Sequence, residues 1–249
     1  MTTRDLSVAV FRPDDERLAN AVELVESLGA TPVADPMLEV KPSGLGPREG
    51  ANYTILTSKT GAELARAADW NPGETTVCAI GPATAAALRE QGYDVDIVPD
   101  EYSSTGLVAT LADEVEDATV EIARSDHGSD VLLEGLWDAN AFVHHTVLYE
   151  LVRPAGAGVS VDMAVDGDLD AAAFTSSLTV ENFVSLAEER GVRAEALAGL
   201  NEAVVGVIGE PTRETAESLG IRVDVVPENA DFEELACAVV EEAAPTYHD

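Results

Sequence analysis

Ile80-Gly81-Pro82-Ala83-Thr84, running on to Gly92, occurs again near the other end of the chain as Ile208-Gly209-Glu210-Pro211-Thr212, running on to Gly220. The spacing from isoleucine to threonine to glycine is the same in both copies. Each copy is followed by an apolar run that ends in proline, Val95-Asp96-Ile97-Val98-Pro99 and Val223-Asp224-Val225-Val226-Pro227. An acidic amphipathic helix then follows, Thr105 to Glu114 and Phe232 to Glu242. A shared register of this length marks an internal duplication, and a repeat governs the fold before any single element does.

Working outward from the two copies, the halves match segment by segment. The first half opens with an apolar strand, Leu6 to Phe11, the turn Arg12-Pro13-Asp14-Asp15, a helix with Leu18, Val22, Val25 and Leu28 at helical spacing, and a strand Thr31 to Ala34. The second opens with a strand Thr119 to Ala123, the turn Arg124-Ser125-Asp126-His127-Gly128, a helix Val131 to Asp138 and a strand Phe142 to Thr146. Extended pieces come next, Pro36 to Lys41 and Val147 to Arg153, and then a Pro/Gly-rich loop in each half. A buried strand then turns into a helix through a hydroxyl pair, Thr57-Ser58 in the first half and Thr175-Ser176 in the second.

Alternating helices and short apolar strands predict an α/β protein of two flavodoxin-like, doubly wound parallel-sheet domains. Which segments share a sheet is open from the pattern alone. If the two extended pieces pair as crossing strands, residues 1–35 and 153–249 form one discontinuous domain and 42–146 the other. Residues 36–41 and 147–152 then form a two-stranded β-ladder between them, and this is the favoured arrangement.

The chain has 249 residues, enough for two ordinary domains, and 46% are hydrophobic, enough for real cores. Acidic residues number 47 against 14 basic ones, a net charge of −33. The acids are spread over every helix and so form a solvated skin rather than a tail. Such a surface repels nucleic acid and anionic membranes. It suits a halophilic-type, high-salt cytoplasm, where screening removes the self-repulsion. Cys78 and Cys237 have no metal or redox spacing and read as small core residues. Neither a basic, apolar leader at Met1 to Asp5 nor a run of membrane-spanning length is present, so a cytoplasmic location is expected.

No P-loop, GxGxxG or zinc spacing occurs. His144 and His145 are neighbours in one strand, so their rings point to opposite faces and no shared metal is expected. Ser176 has no histidine partner suited to a hydrolase triad. What remains is a set of hydroxyls at strand-to-helix turns: Thr57, Ser58, Thr84, Thr175, Ser176 and Thr212. Helix starts present N–H groups and a positive dipole end, which suit a polyanion. Plain helix capping is the competing reading of each hydroxyl. Arg12 and Arg124 stand at equivalent strand ends and could add charged contacts.

In order and spacing these motifs resemble the uroporphyrinogen-III synthases of tetrapyrrole biosynthesis. The resemblance runs through Phe11-Arg12-Pro13, Leu56-Thr57-Ser58, Ile80 to Thr84 and Gly92, and Pro99 through Ser103-Ser104-Thr105-Gly106-Leu107. It continues through Arg124-Ser125 with Gly128, Val147-Leu148-Tyr149, Phe174-Thr175-Ser176 with Asn182-Phe183, and Ile208-Gly209 with Thr212. It implies two flavodoxin-like domains, the first discontinuous, and hydroxymethylbilane as substrate. It also implies a cofactor-free dehydrative cyclisation that inverts the last ring through a spiro-pyrrolenine. Tyr149 matches the family tyrosine thought to assist loss of the hydroxyl. Thr84, Ser176 and Thr212 match its cleft hydroxyls, Ser58 its other strand-end serine, and Lys59 more loosely the basic residue that often follows that serine. A monomer is expected.

The alternative is a non-catalytic bilobed module that binds a polyanion or regulates. It would leave Tyr149 free to be buried, whereas a catalytic cleft needs that side chain facing the ligand. A flavodoxin-type FMN protein fits poorly, since the chain lacks a phosphate-wrapping Ser/Thr-rich loop and is only 5% aromatic.

Overall fold

The computed structural model describes residues 6–244. In chain order the elements are β1 (Ser7–Phe11), α1 (Glu16–Ser27), β2 (Thr31–Ala34), β3 (Glu39–Pro42), β4 (Tyr53–Leu56), α2 (Lys59–Ala67), β5 (Thr76–Ala79), α3 (Pro82–Glu90) and α4 (Ser104–Leu111). They continue with β6 (Thr119–Ser125), α5 (Asp130–Asp138), β7 (Phe142–Val152), α6 (Val159–Asp166), β8 (Ala171–Phe174), α7 (Ser177–Glu189), α8 (Arg193–Glu202), β9 (Val204–Val207), α9 (Glu210–Ser218) and α10 (Phe232–Ala243). The described residues divide into two compact units, one up to Glu39 and from Val152 onward, the other Val40–Leu151.

The first unit holds a sheet in the order β2-β1-β8-β9, every strand pair parallel, and a bridge from Gly206 to Val225 extends it. The second holds β3-β7-β6-β4-β5, with the pairs from β7 to β5 parallel and a bridge from Cys78 to Ile97. Apart from β3, the two orders coincide when β6, β7, β4 and β5 are set against β1, β2, β8 and β9. Phe11 pairs Phe174 where Ala123 pairs Leu56. The duplicated halves have therefore exchanged their opening β-α-β segments. That of the first half completes the sheet that holds the second copy of the Ile-Gly motif, and the reverse holds in the other unit.

Each sheet is covered on both faces, as parallel strands require. In the first unit Phe11 and Phe174 stack at 4.2 Å, and Phe183 meets each edge-on. In the second, Leu56, Leu88 and Ala123 pack with Trp70 and Tyr93, whose rings lie 5.1 Å apart.

Several elements depart from the sequence reading. The pieces expected to pair, 36–41 and 147–152, overlap β3 and the last part of β7, which are neighbours within one sheet. Strand β7 is a single run of 11 residues. Its first part pairs β6, and β3 adjoins it as the edge of the same five-stranded sheet. The Ser43 N–H donates to Leu148 O (2.9 Å) beside it. The runs 95–98 and 223–226 form single bridges instead of full strands. Asp96 and Asp224 shorten these runs, because their carboxylates accept the N–H groups of Val77 (2.8 Å) and Val205 (3.0 Å) and leave the backbone bonds to the positions around Ile97 and Val225.

Helices α6 and α8 have no counterpart in the sequence reading. Gly199 obscures the second, since glycine weakens a helix pattern. A Cβ there would lie 1.8 Å from Ala164 O, so the bare backbone lets α8 meet α6. Cys237, expected in the core, is exposed, whereas Cys78 is buried. Burial pushes the Cys78 thiol up to about 12. His248 lies outside the described residues.

Candidate active site

Parallel strands bring their carboxyl ends to one edge, and the turns that open helices gather there. In the second unit the turn after β4 places Ser58 as the N-cap of α2, in an extended conformation (φ −153°, ψ 157°). Its Oγ accepts the N–H of Gly61 at 2.9 Å. The same oxygen lies 3.0 Å from the hydroxyl of Tyr149.

A β-bulge brings Tyr149 to that place. Arg124 faces Val147 and Ser125 faces Tyr149, so Leu148 is the additional residue. In an unbroken strand Leu148 and Tyr149 would project to opposite faces. Here both enter the apolar cluster with Leu56, Ala62 and Ala123. Bulges re-aim side chains in this way beside functional sites. Tyr149 is 6% exposed and its hydroxyl reaches the serine at the strand end.

The two copies of the Ile-Gly motif share a second property. Side chains cap α1, α2, α4, α5, α7 and α10, through Asp15, Ser58, Ser103, Ser129, Ser176 and Asp231. No N-cap side chain caps α3 or α9, whose N-caps are Gly81 and Gly209, and the same is true of α6 and α8. The first N–H groups of a helix have no partner within it. Pro82 and Pro211 carry no N–H and the Thr212 N–H already donates to Gly209 O (3.1 Å), so α3 offers the N–H groups of Ala83 and Thr84 and α9 that of Glu210, each with the positive end of the dipole behind it. Thr84 and Thr212 occupy the same place in the first turn, both buried.

At the carboxyl edge of the first sheet, Ser176 caps α7 by accepting the N–H of Thr179 (3.3 Å), and Thr175 donates to Phe11 O (2.9 Å). Arg12 lies over the Phe232 ring, 4.6 Å from its centroid. Burial and the charge of Arg17 draw its pKa down, opposed by Asp15 and Asp231. Lys59 is exposed at the first position of α2.

Arg124 stands differently from the sequence expectation of a ligand contact. It is 2% exposed and its guanidinium turns into the second unit. Nε donates to His145 Nε2 (3.3 Å) and Nη1 to Ser129 O (2.5 Å), while Gly128 leaves the room it needs. Burial and the adjacent Arg124 draw the His145 pKa down, in keeping with its role as an acceptor. The hydroxyls of Ser58 and Ser176 cap their helices, as the capping reading required, whereas that of Thr175 bonds the end of β1. Ser58 additionally reaches Tyr149.

The sequence reading gave no role to Tyr102, whose side chain stands over Gly81. Its signal was an aromatic residue in a loop whose duplicate, Pro227 to Asp231, has Ala230 there. Nor did that reading find Glu121, fully buried on β6 with His144 Nδ1 3.7 Å from its Oε2. Among the described residues no group of three or more His, Cys, Asp or Glu could hold a metal. Nor, among them, is any helix long and apolar enough to cross a membrane.

Residues 19–237 match the family model described as uroporphyrinogen-III synthase HemD. The chain belongs to the HemD family. Two relatives align along nearly all of it. One, from Methanothermobacter thermautotrophicus and provisionally named a uroporphyrinogen-III synthase, is 34% identical over 93% of this chain and 96% of its own. The uroporphyrinogen-III synthase of Chlorobaculum parvum is 26% identical over 94% and 98%. Among solved structures, a mutant uroporphyrinogen III synthase of Thermus thermophilus superposes with a TM-score of 0.68. It covers 96% of this chain and 98% of that one at 17% identity, so the HemD fold is shared well beyond the sequence.

Proposed function

We propose that this HemD-family protein is a uroporphyrinogen-III synthase, which dehydrates and cyclises hydroxymethylbilane with inversion of ring D. The observation that carries the reading is the HemD family match over residues 19–237. The Tyr149–Ser58 pair at the strand end gives that chemistry a proton donor.

The residues divide the work as follows. In the second unit, carboxylate arms of the substrate accept from the free N–H groups at the start of α3, with Thr84 and Lys59 as further contacts, and in the first unit Thr212 at the start of α9 and Arg12 offer contacts of the same kind. Gly61 N–H donates to Ser58 Oγ, which leaves the Ser58 hydroxyl free to donate to the Tyr149 oxygen. The Tyr149 proton is then not engaged by Ser58. It passes to the departing hydroxyl as the C–O bond breaks, and water leaves with the bonding electrons. The substituted carbon of ring D attacks the azafulvene cation so formed, giving a spiro-pyrrolenine that reopens and recloses with that ring inverted, and the proton lost on rearomatisation balances the one Tyr149 gave. Holding the two chain ends together supplies most of the selectivity.

The reaction class is a cyclising hydro-lyase that needs no cofactor or metal. The same reading has a cytoplasmic monomer whose acidic surface suits high salt. Its partner is the small-molecule substrate, with neither nucleic acid nor membrane involved. In molar salt with freshly made hydroxymethylbilane, the protein should yield the type III isomer. If only the spontaneous type I isomer formed, the assignment would be wrong.

A further inference from the structure

We propose that Tyr102 is an aromatic platform for a carboxylate-bearing pyrrole ring of the substrate, a positioning residue not among those so far assigned. The inference rests on the proposed activity for the identity of the ring, and on the geometry of the second unit for the platform.

Tyr102 is 64% exposed, as is Phe142, so exposure alone does not distinguish it. It is not placed at random. Its side chain stands over Gly81, where an added Cβ would lie 3.2 Å from the Tyr102 Cβ and 3.5 Å from its Cγ. Gly81 is the N-cap of α3, one of the two motif helices without a side-chain cap. The base of the aromatic ring therefore lies against the residue that opens α3, whose next N–H groups are those of Ala83 and Thr84. A pyrrole with acetate and propionate arms matches that pairing, its ring on the phenol and its carboxylates on the helix end.

The loop that carries the ring is held firmly. Ser103 N–H donates to Glu101 O (2.8 Å), Ser103 Oγ donates to Glu101 Oε1 (2.6 Å), and Ser103 Oγ accepts from Gly106 N–H (2.9 Å). A Cβ at Gly106 would lie 1.9 Å from Glu101 O, so the loop is pressed against the start of α4.

The duplication supplies an internal control. The loop Pro227 to Asp231 repeats the spacing of Pro99 to Ser103 and the same turn, with Asp231 N–H on Asn229 O at 2.7 Å and Asp231 capping α10. Ala230 stands where Tyr102 does, and nothing lies within 4 Å of a Cβ built on Gly209. The fold thus builds this turn without an aromatic ring, so the turn does not account for Tyr102.

The test compares wild type, Tyr102→Phe, Tyr102→Ala and, as a control, Phe142→Ala. Phe142 is equally exposed but begins β7, at the opposite end of its strand from Tyr149. We expect Tyr102→Ala to raise KM for hydroxymethylbilane about tenfold with kcat changed less than about twofold. Tyr102→Phe should keep the wild-type KM, because the ring face and not the hydroxyl makes the contact. Phe142→Ala should keep both constants, and all four proteins should share one Tm within a few degrees.

Type III product from wild type with an unchanged KM in Tyr102→Ala would overturn the platform while leaving the activity intact. A KM raised equally in Tyr102→Phe would also overturn it. If wild type made no type III isomer, the activity would fall first, and porphobilinogen, a stable pyrrole with both kinds of arm, would decide the platform alone. Shifts of the Tyr102 ring resonances on its addition would support the contact, and their absence would remove it.

Discussion

The Tyr149 hydroxyl stands 3.0 Å from Ser58 Oγ, and that oxygen also accepts the N–H of Gly61 at 2.9 Å. One serine therefore opens a helix and orients a phenol. Tyr149→Phe removes the proton and keeps the ring, so kcat should fall about a hundredfold to ten-thousandfold with KM and Tm nearly unchanged. Ser58→Ala should lower kcat about tenfold, the worth of one hydrogen bond, and cost about 1 kcal/mol of stability through the lost cap. Steady-state kinetics with a parallel thermal melt would separate the two. Equal kcat in Tyr149→Phe and wild type would remove the tyrosine from the mechanism.

Arg124 offers a contrast with Arg12, its counterpart in the duplication. Replacing Arg124 with alanine leaves the part-buried acceptors His145 Nε2 and Ser129 O without their donor, at about 0.5–1.5 kcal/mol for each hydrogen bond. The expected signature is a lower Tm, together with whatever activity loss follows from unfolding. Arg12→Ala should instead raise KM with a small change in Tm. A fully stable Arg124→Ala with a raised KM would return that arginine to the ligand.

Glu121 gives the protein a pH dependence with a definite sign. Burial raises its pKa, and the nearby Thr146 hydroxyl, Arg48 N–H and charges of His144 and Arg48 only partly oppose this. None of these stands in good hydrogen-bond geometry, and neither carboxylate oxygen has such a partner among the described residues. As pH rises above the ordinary carboxyl range, the unfolded chain releases this proton while the folded protein still holds it. Stability attributable to Glu121 is therefore greatest at low pH and declines as pH climbs to the raised value. Glu121→Gln should raise Tm at neutral pH and leave it nearly unchanged in acid. Melts across that range would test the sign, and a larger gain in acid would refute it.

A protein of net charge −33 and a polyanionic substrate repel each other at long range. At about 0.1 M salt the screening length is about 10 Å and at 1 M about 3 Å. kcat/KM should accordingly rise with salt, mostly through KM, until screening is complete. A stopped-flow salt series that showed a monotonic fall would contradict this.

Much of the fold was legible because the Ile-Gly copies share one register, and matching registers survive changes that erase single-element patterns. The carboxyl-edge placement of Ser58, Thr84, Ser176 and Thr212 followed from the same register. Other features could not be read because they depend on neighbours distant in sequence. The bulge at Leu148 arises where β6 runs out at Ser125, which no local pattern in β7 records. Helix α8 hides behind Gly199, whose reason is the backbone of α6. Asp96 and Asp224 look like ordinary surface acids until their carboxylates are seen replacing a strand's carbonyls. Arg124 has the same sequence context as Arg12, and only the fold tells one from the other.

The exchange of opening segments between the halves also sets an order for synthesis on the ribosome. Strand β1 carries Val8, Val10 and Phe11, and one of its edges awaits β8 at Ala171–Phe174. Roughly 140 residues must be translated between β2 and that partner, on the order of ten seconds at cellular rates. Meanwhile Val40–Leu151 has all its own strands and can close first. The nascent chain thus carries an open apolar edge past a completed sheet of the same architecture. A chaperone that shields the first forty or so residues would protect this protein more than one acting later.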